Sequence, residues 1–243
     1  MARILSIASL GPGVSRLWLD AGTIARKRKP GQFVILRIDE NGERIPLTIA
    51  DVDVGRGAIS VIVQAVGKTT NQLCALREGD EIVDVVGPLG QPTHIGKGER
   101  VCCIGGGIGT AVVYPIAKGV KAQGGTVIAI IGGRTKDLVI LENEMRGIAD
   151  EVIVTTDDGS YGRKGLVTHA LGDLVQRGER FDNVVAVGPI RMMQAVCDMT
   201  RPLALKTTVS LNPVMVDGTG MCGGCRVSVN GEPKFVCVDG PEF

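Results

Sequence analysis

Along residues 1 to 97 the apolar positions fall in short, partly alternating runs: ARILSIAS, SRLWLDAG, QFVILRI, IPLTIADV, AISVIVQAV and EIVDVVG. Runs of this kind, parted by the turn signals Gly11-Pro12-Gly13, Pro30-Gly31 and Asn41-Gly42, predict the strands of an antiparallel β-barrel. One helix is predicted among them, over residues 69 to 76, with Thr69 or Thr70 as its N-cap, and Gly87-Pro88-Leu89-Gly90 closes the segment. From residue 98 to 210 the period changes. RVCCIG, TVIAIIGG, DEVIVTTDD, DNVVAVG and LKTTVS read as buried strands, with GGIGTAVVYPIAKGVKAQGG, TKDLVILENEMRG, KGLVTHALGDLVQRG and PIRMMQAVCDMTRPL as amphipathic helices between them. This alternation predicts an α/β domain whose parallel sheet is covered on both faces and takes ligands at the carboxyl ends of its strands. Residues 211 to 243 form a third segment, too short to bury a core alone and expected to be held together by a metal.

Charge and composition narrow the classes. Lys and Arg number 27 against 26 Asp and Glu, a net charge of +1, which leaves no basic field for nucleic acid or an anionic membrane. The opening MARILSIASLGPG lacks a basic region and a long apolar stretch, and no run of about 18 apolar residues occurs, so a soluble cytoplasmic protein is expected. Seven cysteines, an odd number without a signal peptide, point to reduced thiols and metal ligation rather than disulfides. The 35 glycines are about twice the usual share and sit in punctuating clusters, as in nucleotide-binding proteins with many tight loops. Cys102 and Cys103, on a strand, and Cys74 and Cys197, on helices, read as core residues, and Trp18 as barrel packing.

Candidate chemistry falls at the joints of this pattern. Gly105, Gly106, Gly107, Ile108, Gly109 and Thr110 lie between a strand and a helix, where bare backbone and helix amides suit a pyrophosphate, although Thr110 stands where GxGxxG has its third glycine. A purely structural turn is the alternative. Arg134, the pair Asp157-Asp158, and Gly188 follow later strands, at places where ligand contacts are expected. Two carboxylates repel a 2′-phosphate and accept ribose hydroxyls, which favours NAD(H) over NADP(H). In the barrel half Arg44, Pro46, Leu47 and Thr48 put a guanidinium fork and a hydroxyl at a strand start, and Gly67, Thr69 and Thr70 offer a second phosphate cradle. Read alone, both are ordinary strand and cap residues.

The last segment carries MVDGTGMCGGCRVSVNGEPKFVCVDG. Cys222, Cys225 and Cys237 fit the tail of a plant-type [2Fe-2S] pattern whose first cysteine would stand at position 217, where the chain has Asp217. Three readings are open: a cluster with a carboxylate ligand, a zinc site of three cysteines and Asp217, and free inert thiols. His94 and His169 lie far from the tail in sequence, and Asp239 is out of register.

GQFVIL, RIPLTI, VGKTTNQL, GPLG, GGGIGTAVVYPIA, GGRTKDLV, TDDGSYGRKGLV and VGPIRMM occur in the order seen in ferredoxin reductase-like flavoproteins. With the cysteine tail, essentially all of the chain resembles the electron-transfer subunits that accompany dihydroorotate dehydrogenase. It resembles still more closely the small subunits of NADH-dependent reduced ferredoxin:NADP oxidoreductases, also called sulfide dehydrogenase small subunits. The resemblance implies FAD at Arg44, Pro46, Leu47, Thr48, Gly67, Thr69 and Thr70, and NAD(H) at Gly105 to Thr110, Arg134, Asp157 and Gly188. It implies a [2Fe-2S] cluster at Asp217, Cys222, Cys225 and Cys237, the aspartate being shared with the ferredoxin-reductase side of the family. Hydride would pass from NADH to FAD, and single electrons through the cluster to a larger flavoprotein or iron-sulfur subunit, with ferredoxin reached through it. No acid-base residue or nucleophile is required. Two departures are Val187, where many relatives have cysteine, and an end at DGPEF, where relatives often continue. A reading of another class is a redox-silent nucleotide-binding regulatory subunit with structural zinc.

Overall fold

The computed structural model describes residues 1–243. Its first antiparallel sheet is built from β1 (Ala2–Gly11), β2 (Val14–Asp20), β3 (Phe33–Arg37), β4 (Ile45–Asp53), β5 (Ala58–Gln64), β6 (Glu81–Ile82) and β7 (Asp84–Leu89). Two helices, α1 (Gly22–Lys27) and α2 (Lys68–Ala75), interrupt it. The strand order β6-β1-β2-β5-β4-β3-β7 explains why EIVDVVG is two strands and not one. The chain leaves one end of the sheet after Ile82 and re-enters at the other end at Asp84, which brings the barrel close to closure. Ile4, Leu17, Leu19, Val34, Leu36, Ile49, Ile59, Val61, Val63 and Leu73 form its core. Trp18, between the buried Leu17 and Leu19, is half-buried on the other face of the barrel sheet, because successive strand side chains point to opposite faces. Helix α1 was not foreseen: six residues that bury only Ile24 and Ala25 are too few to show a helical period. Helix α2 starts at Lys68, because the Thr70 hydroxyl reaches back to the turn before it instead of capping from outside.

The second sheet is wholly parallel, in the order β11-β10-β9-β8-β12-β13. In chain order its elements are β8 (Arg100–Gly106), α3 (Thr110–Ala122), β9 (Thr126–Gly133), α4 (Glu142–Arg146), β10 (Glu151–Thr156), β11 (Arg163–Lys164), α5 (Val167–Gln176), β12 (Asn183–Val187), α6 (Ile190–Thr200) and β13 (Thr207–Val209). Strand runs such as TVIAIIGG are apolar throughout, as strands covered on both faces must be. The segment TKDLVILENEMRG is not one helix. Leu138 to Leu141 are four apolar residues in succession, which no single helix face can bury. The chain therefore makes a short turn, sinks Ile140 and Leu141, and enters α4 through a left-handed Leu141 (φ 60°).

Residues 1–93 and 211–243 form one compact unit, and residues 94–210 another. The C-terminal segment adds the hairpin β14 (Arg226–Val229) and β15 (Glu232–Phe235), turned by Asn230-Gly231 with both residues at positive φ, and then α7 (Val236–Asp239). Its Met215, Cys225, Val236 and Cys237 share a core with Phe33 and Ile35 of β3. Barrel strand residues thus supply the apolar partners that the short segment lacks on its own.

Candidate functional site

At the carboxyl edge of the parallel sheet, register pairing sets Val187 beside Gly105, Gly105 beside Ile131, and Thr156 beside Gly133. Arg134 and Asp157, both exposed, therefore leave neighbouring strands at one level. Gly188 is so close to Gly106 that an added Cβ would come within 3.1 Å of the Gly106 Cα. The structure thus brings the glycine run, Arg134, Asp157 and Gly188 to one edge.

Within the run, the glycines differ in what they do. A Cβ on Gly105 would lie 2.6 Å from the Thr110 Cα, one on Gly109 only 2.5 Å from the Val187 carbonyl carbon, and one on Gly106 would collide with Met192. Gly105 and Gly109 are demanded by the close approach of backbone to backbone, whereas at Gly106 the flexible end of Met192 can give way. Gly107 (φ +54°) alone has open space in front of it. Ile108 is half-buried, and Thr110 opens α3 fully buried, its hydroxyl without a partner. Gly109→Ala is accordingly expected to destabilise the α/β unit by about 1–3 kcal/mol, read by urea unfolding. Gly107→Ala meets no atoms but must adopt a left-handed backbone (φ +54°), so it should cost about 1–2 kcal/mol of stability as well as nucleotide affinity, the latter read by NADH titration.

Around this edge the loop after β10 is organised internally. The Asp158 carboxylate accepts from the Ser160 amide (2.9 Å) and hydroxyl (2.7 Å), bonds that hold its pKa below the ordinary carboxylate value. The Ser160 hydroxyl in turn accepts from the Lys136 amide (2.9 Å), and the Lys136 ammonium lies 5.4 Å from the Tyr161 ring centre. Asp158 is thus a turn-former, and Asp157 is the carboxylate at the strand end. Lys136 and Tyr161 were not anticipated. The signal for them was the close succession of Gly159 and Gly162, both at positive φ, which folds Tyr161 back over the strand end.

In the barrel unit the two candidate motifs meet. Glu43, the residue before Arg44, accepts a 2.6 Å hydrogen bond from the hydroxyl of Thr69 in the first turn of α2. Thr70 is absorbed by the turn: its hydroxyl accepts from the Val66 and Gly67 amides (3.0 and 2.9 Å) and donates to the Gly67 carbonyl (3.1 Å). Arg44 donates to Asp84 (3.3 Å), which also accepts from Arg37 (2.6 Å), and the Arg37 bond holds the Asp84 carboxyl below its ordinary pKa. Pro46, Leu47 and Thr48 stand opposite Ile35, Val34 and Phe33 and are half-buried. The first-turn amides of α2 and the Arg44 guanidinium are the donors a diphosphate needs, so the residues fit such a group. Glu43, Asp84 and Arg37 were missed because their partners are distant in sequence.

The tail arranges its four candidates as two pairs. The Cys225 and Cys237 sulfurs are 3.3 Å apart and buried. The Asp217 carboxylate accepts from the Cys222 amide (2.7 Å) and from the Thr219 amide (2.9 Å), and these bonds hold its pKa below the ordinary value. Burial, with the Cys225 thiol beside it, pushes the Cys237 thiol up to about 11. No three His, Cys, Asp or Glu side chains converge on one point, as a single tetrahedral ion requires. Two ligand pairs suit a two-iron cluster, in which each iron takes two protein ligands. Gly218, Gly220 and Gly223, all at positive φ, wrap the loop around them.

A barrel joined to a parallel α/β sheet, with a cysteine-bearing tail packed on the barrel, defines the ferredoxin reductase-like class. Residues 212–243 match the iron-sulfur cluster binding domain of dihydroorotate dehydrogenase B. Over 240 residues the chain is 47% identical to a dihydroorotate dehydrogenase B (NAD(+)) electron transfer subunit homolog of Thermotoga maritima, covering 99% of this chain and 84% of that protein. It is 35% identical to the dihydroorotate dehydrogenase B (NAD(+)) electron transfer subunit of Geobacillus thermodenitrificans, covering 93% and 89%. A chain of the NADH-dependent reduced ferredoxin-NADP oxidoreductase, a structure solved to study flavin-based electron bifurcation, superimposes with a TM-score of 0.94. That chain is 46% identical, and the match covers 100% of this chain and 87% of that one. The chain belongs to the family of dihydroorotate dehydrogenase B electron transfer subunits and their homologues.

Proposed function

We propose that this chain is the electron-transfer flavoprotein subunit of an NADH-dependent oxidoreductase, working with a larger partner subunit through which ferredoxin is served. When bound, FAD accepts hydride from NAD(H) and the [2Fe-2S] cluster carries the electrons away singly. The observation that carries the reading is the Cys225–Cys237 sulfur pair, with the Asp217 carboxylate held at the Cys222 backbone amide, in a segment matching an iron-sulfur domain. It also weighs against structural zinc.

The chain's own residues bind and orient. Gly107 lets the backbone meet a nucleotide phosphate at the start of α3, whose amides favour its charge. Asp157 accepts ribose hydroxyls, and Arg134 stands beside it at the strand ends. Arg44 and the first turn of α2 hold the flavin diphosphate, while Pro46, Leu47 and Thr48 line its flavin end. Apolar residues exposed around the cysteine loop, Val214, Val216, Met221 and Val238, support docking of the partner where the electrons leave. No helix is long and apolar enough to cross a membrane, and all seven cysteines are free thiols, which suits the reducing cytoplasm.

Anaerobically purified protein should carry flavin and iron-sulfide absorption and reduce dyes with a higher kcat/KM for NADH than for NADPH, since Asp157 disfavours a 2′-phosphate. Colourless, zinc-bearing protein would sink the reading, and equal or reversed specificity would shift the adenosine-end role to Arg134. A dihydroorotate dehydrogenase partner is the second reading, favoured by the relatives' 35–47% identity. The mass of the co-purifying subunit separates the two.

A further inference from the structure

The hydroxyl of Thr69 is not available to a ligand as the chain folds. Thr69 is 5% exposed, and its proton is donated to Glu43 at 2.6 Å, a length typical of a hydroxyl bonded to a carboxylate. The Thr70 hydroxyl is equally committed, accepting twice and donating once within the turn at Gly67. What remains at the start of α2 is the backbone, because the amides of its first turn have no partner inside the helix. Their aim depends on how that turn is held.

Glu43 holds it from outside the helix. It precedes Arg44, so a single hydrogen bond ties the first turn of α2 to the entry of β4 and fixes the amides relative to the guanidinium. On the other side, Asp84 steadies Arg44, shared with Arg37. Each donor of the clamp is therefore set by a carboxylate, an arrangement that costs some attraction for an anion placed near it.

We infer that Glu43 is the positioning residue of the diphosphate clamp: it aligns the α2 amides with Arg44 through Thr69, and its negative charge holds the affinity for a dinucleotide's diphosphate below what the geometry alone would give. The inference rests on the flavin reading above and adds to it a residue outside the family motifs. Alignment comes from the hydrogen bond and the opposing effect from the charge, and an isosteric amide separates them. In Glu43→Gln the side-chain carbonyl still accepts from Thr69 while the charge is gone. In Glu43→Ala both are lost.

The test titrates flavin-free full-length chain with FAD and with riboflavin, which lacks phosphate, following flavin fluorescence at low and high salt. Thr69→Val, which loses the hydrogen bond and keeps the charge, should weaken FAD binding about tenfold, the scale of one charge-assisted hydrogen bond; Glu43→Ala, which loses both, should weaken it less, and the double variant should match Glu43→Ala. Glu43→Gln should bind FAD at least as tightly as the parent, with a steeper loss on adding salt, and riboflavin binding should be the same in all. Unchanged FAD affinity in both Glu43→Ala and Thr69→Val would overturn the inference and leave the flavin reading intact. Equal weakening by Glu43→Gln and Glu43→Ala would overturn the separation of alignment from charge. A parent chain that takes up no FAD would overturn the flavin reading itself.

Discussion

Alanine in place of Asp217 is expected to empty the chain of cluster iron while FAD content and hydride uptake from NADH stay near the parent's values. The carboxylate has two jobs that alanine removes together. It stands where a four-cysteine pattern has its first ligand, and it accepts the amides of Thr219 and Cys222, which shapes the loop. Two further variants divide them. Asparagine keeps one oxygen for the Thr219 amide but is no anionic donor, whereas cysteine restores a thiolate and forgoes the amide bonds. If Asp217 is a ligand, Asp217→Cys retains a [2Fe-2S] cluster with an altered electron paramagnetic resonance signal, since thiolate binds iron more covalently than carboxylate, and Asp217→Asn loses it. If Asp217 only shapes the loop, the two outcomes exchange. Iron and sulfide analysis with spectra of the reduced protein reads the result, and an unchanged cluster in Asp217→Ala would remove Asp217 from the ligand set altogether.

This register was legible in the sequence because cluster ligation constrains spacing within one short segment. The pairing of the four candidates was not, since it depends on α7 bringing Cys237 back to Cys225. The same division runs through the fold. Strand runs and the change to strand-helix alternation show in the pattern because burial imposes a local period. The split of EIVDVVG does not: Ile82 and Asp84 join strands that are remote in sequence, β1 and β3. Likewise Arg44 and Thr69 could be named from their motifs, but Glu43 meets Thr69 across 26 positions and Asp84 meets Arg44 across 40. Of the glycine run, sequence marked the whole loop as ligand-facing. Packing on backbone makes glycine necessary at Gly105 and Gly109, and Gly107 faces open space.

Glutamine in place of Glu242 is expected to leave stability unchanged near pH 4.5 and to raise it by about 3 kcal/mol at pH 8. Glu242 lies where three stretches of the barrel unit converge. Its carboxyl accepts from the Thr93 hydroxyl (2.8 Å), and the Thr93 amide donates to the Pro30 carbonyl (2.9 Å). Gly31, at φ +83°, leaves room for the group, since a Cβ there would stand 2.7 Å from the Glu242 oxygen. The adjoining backbone is tied as well: the Gln91 amide donates to the Gly240 carbonyl (2.6 Å) and the Leu211 amide to the Pro241 carbonyl (2.9 Å). Burial pushes the Glu242 carboxyl up to about 7 from an ordinary 4.5, against the opposing effect of the Thr93 hydrogen bond. Between those values the folded chain keeps a proton that the unfolded chain has released. The contribution to stability is therefore complete below about pH 4.5, declines as pH rises to about 7, and stays lost above it. Glutamine still accepts from Thr93 but has no proton to lose, so its curve lacks that decline. Urea unfolding of both proteins at intervals from pH 4.5 to 8 isolates the effect as the difference between the curves, in which every other titrating group cancels. Parallel curves would show that Glu242 keeps its charge in the folded protein, solvated instead of sealed against Thr93 and Gly31.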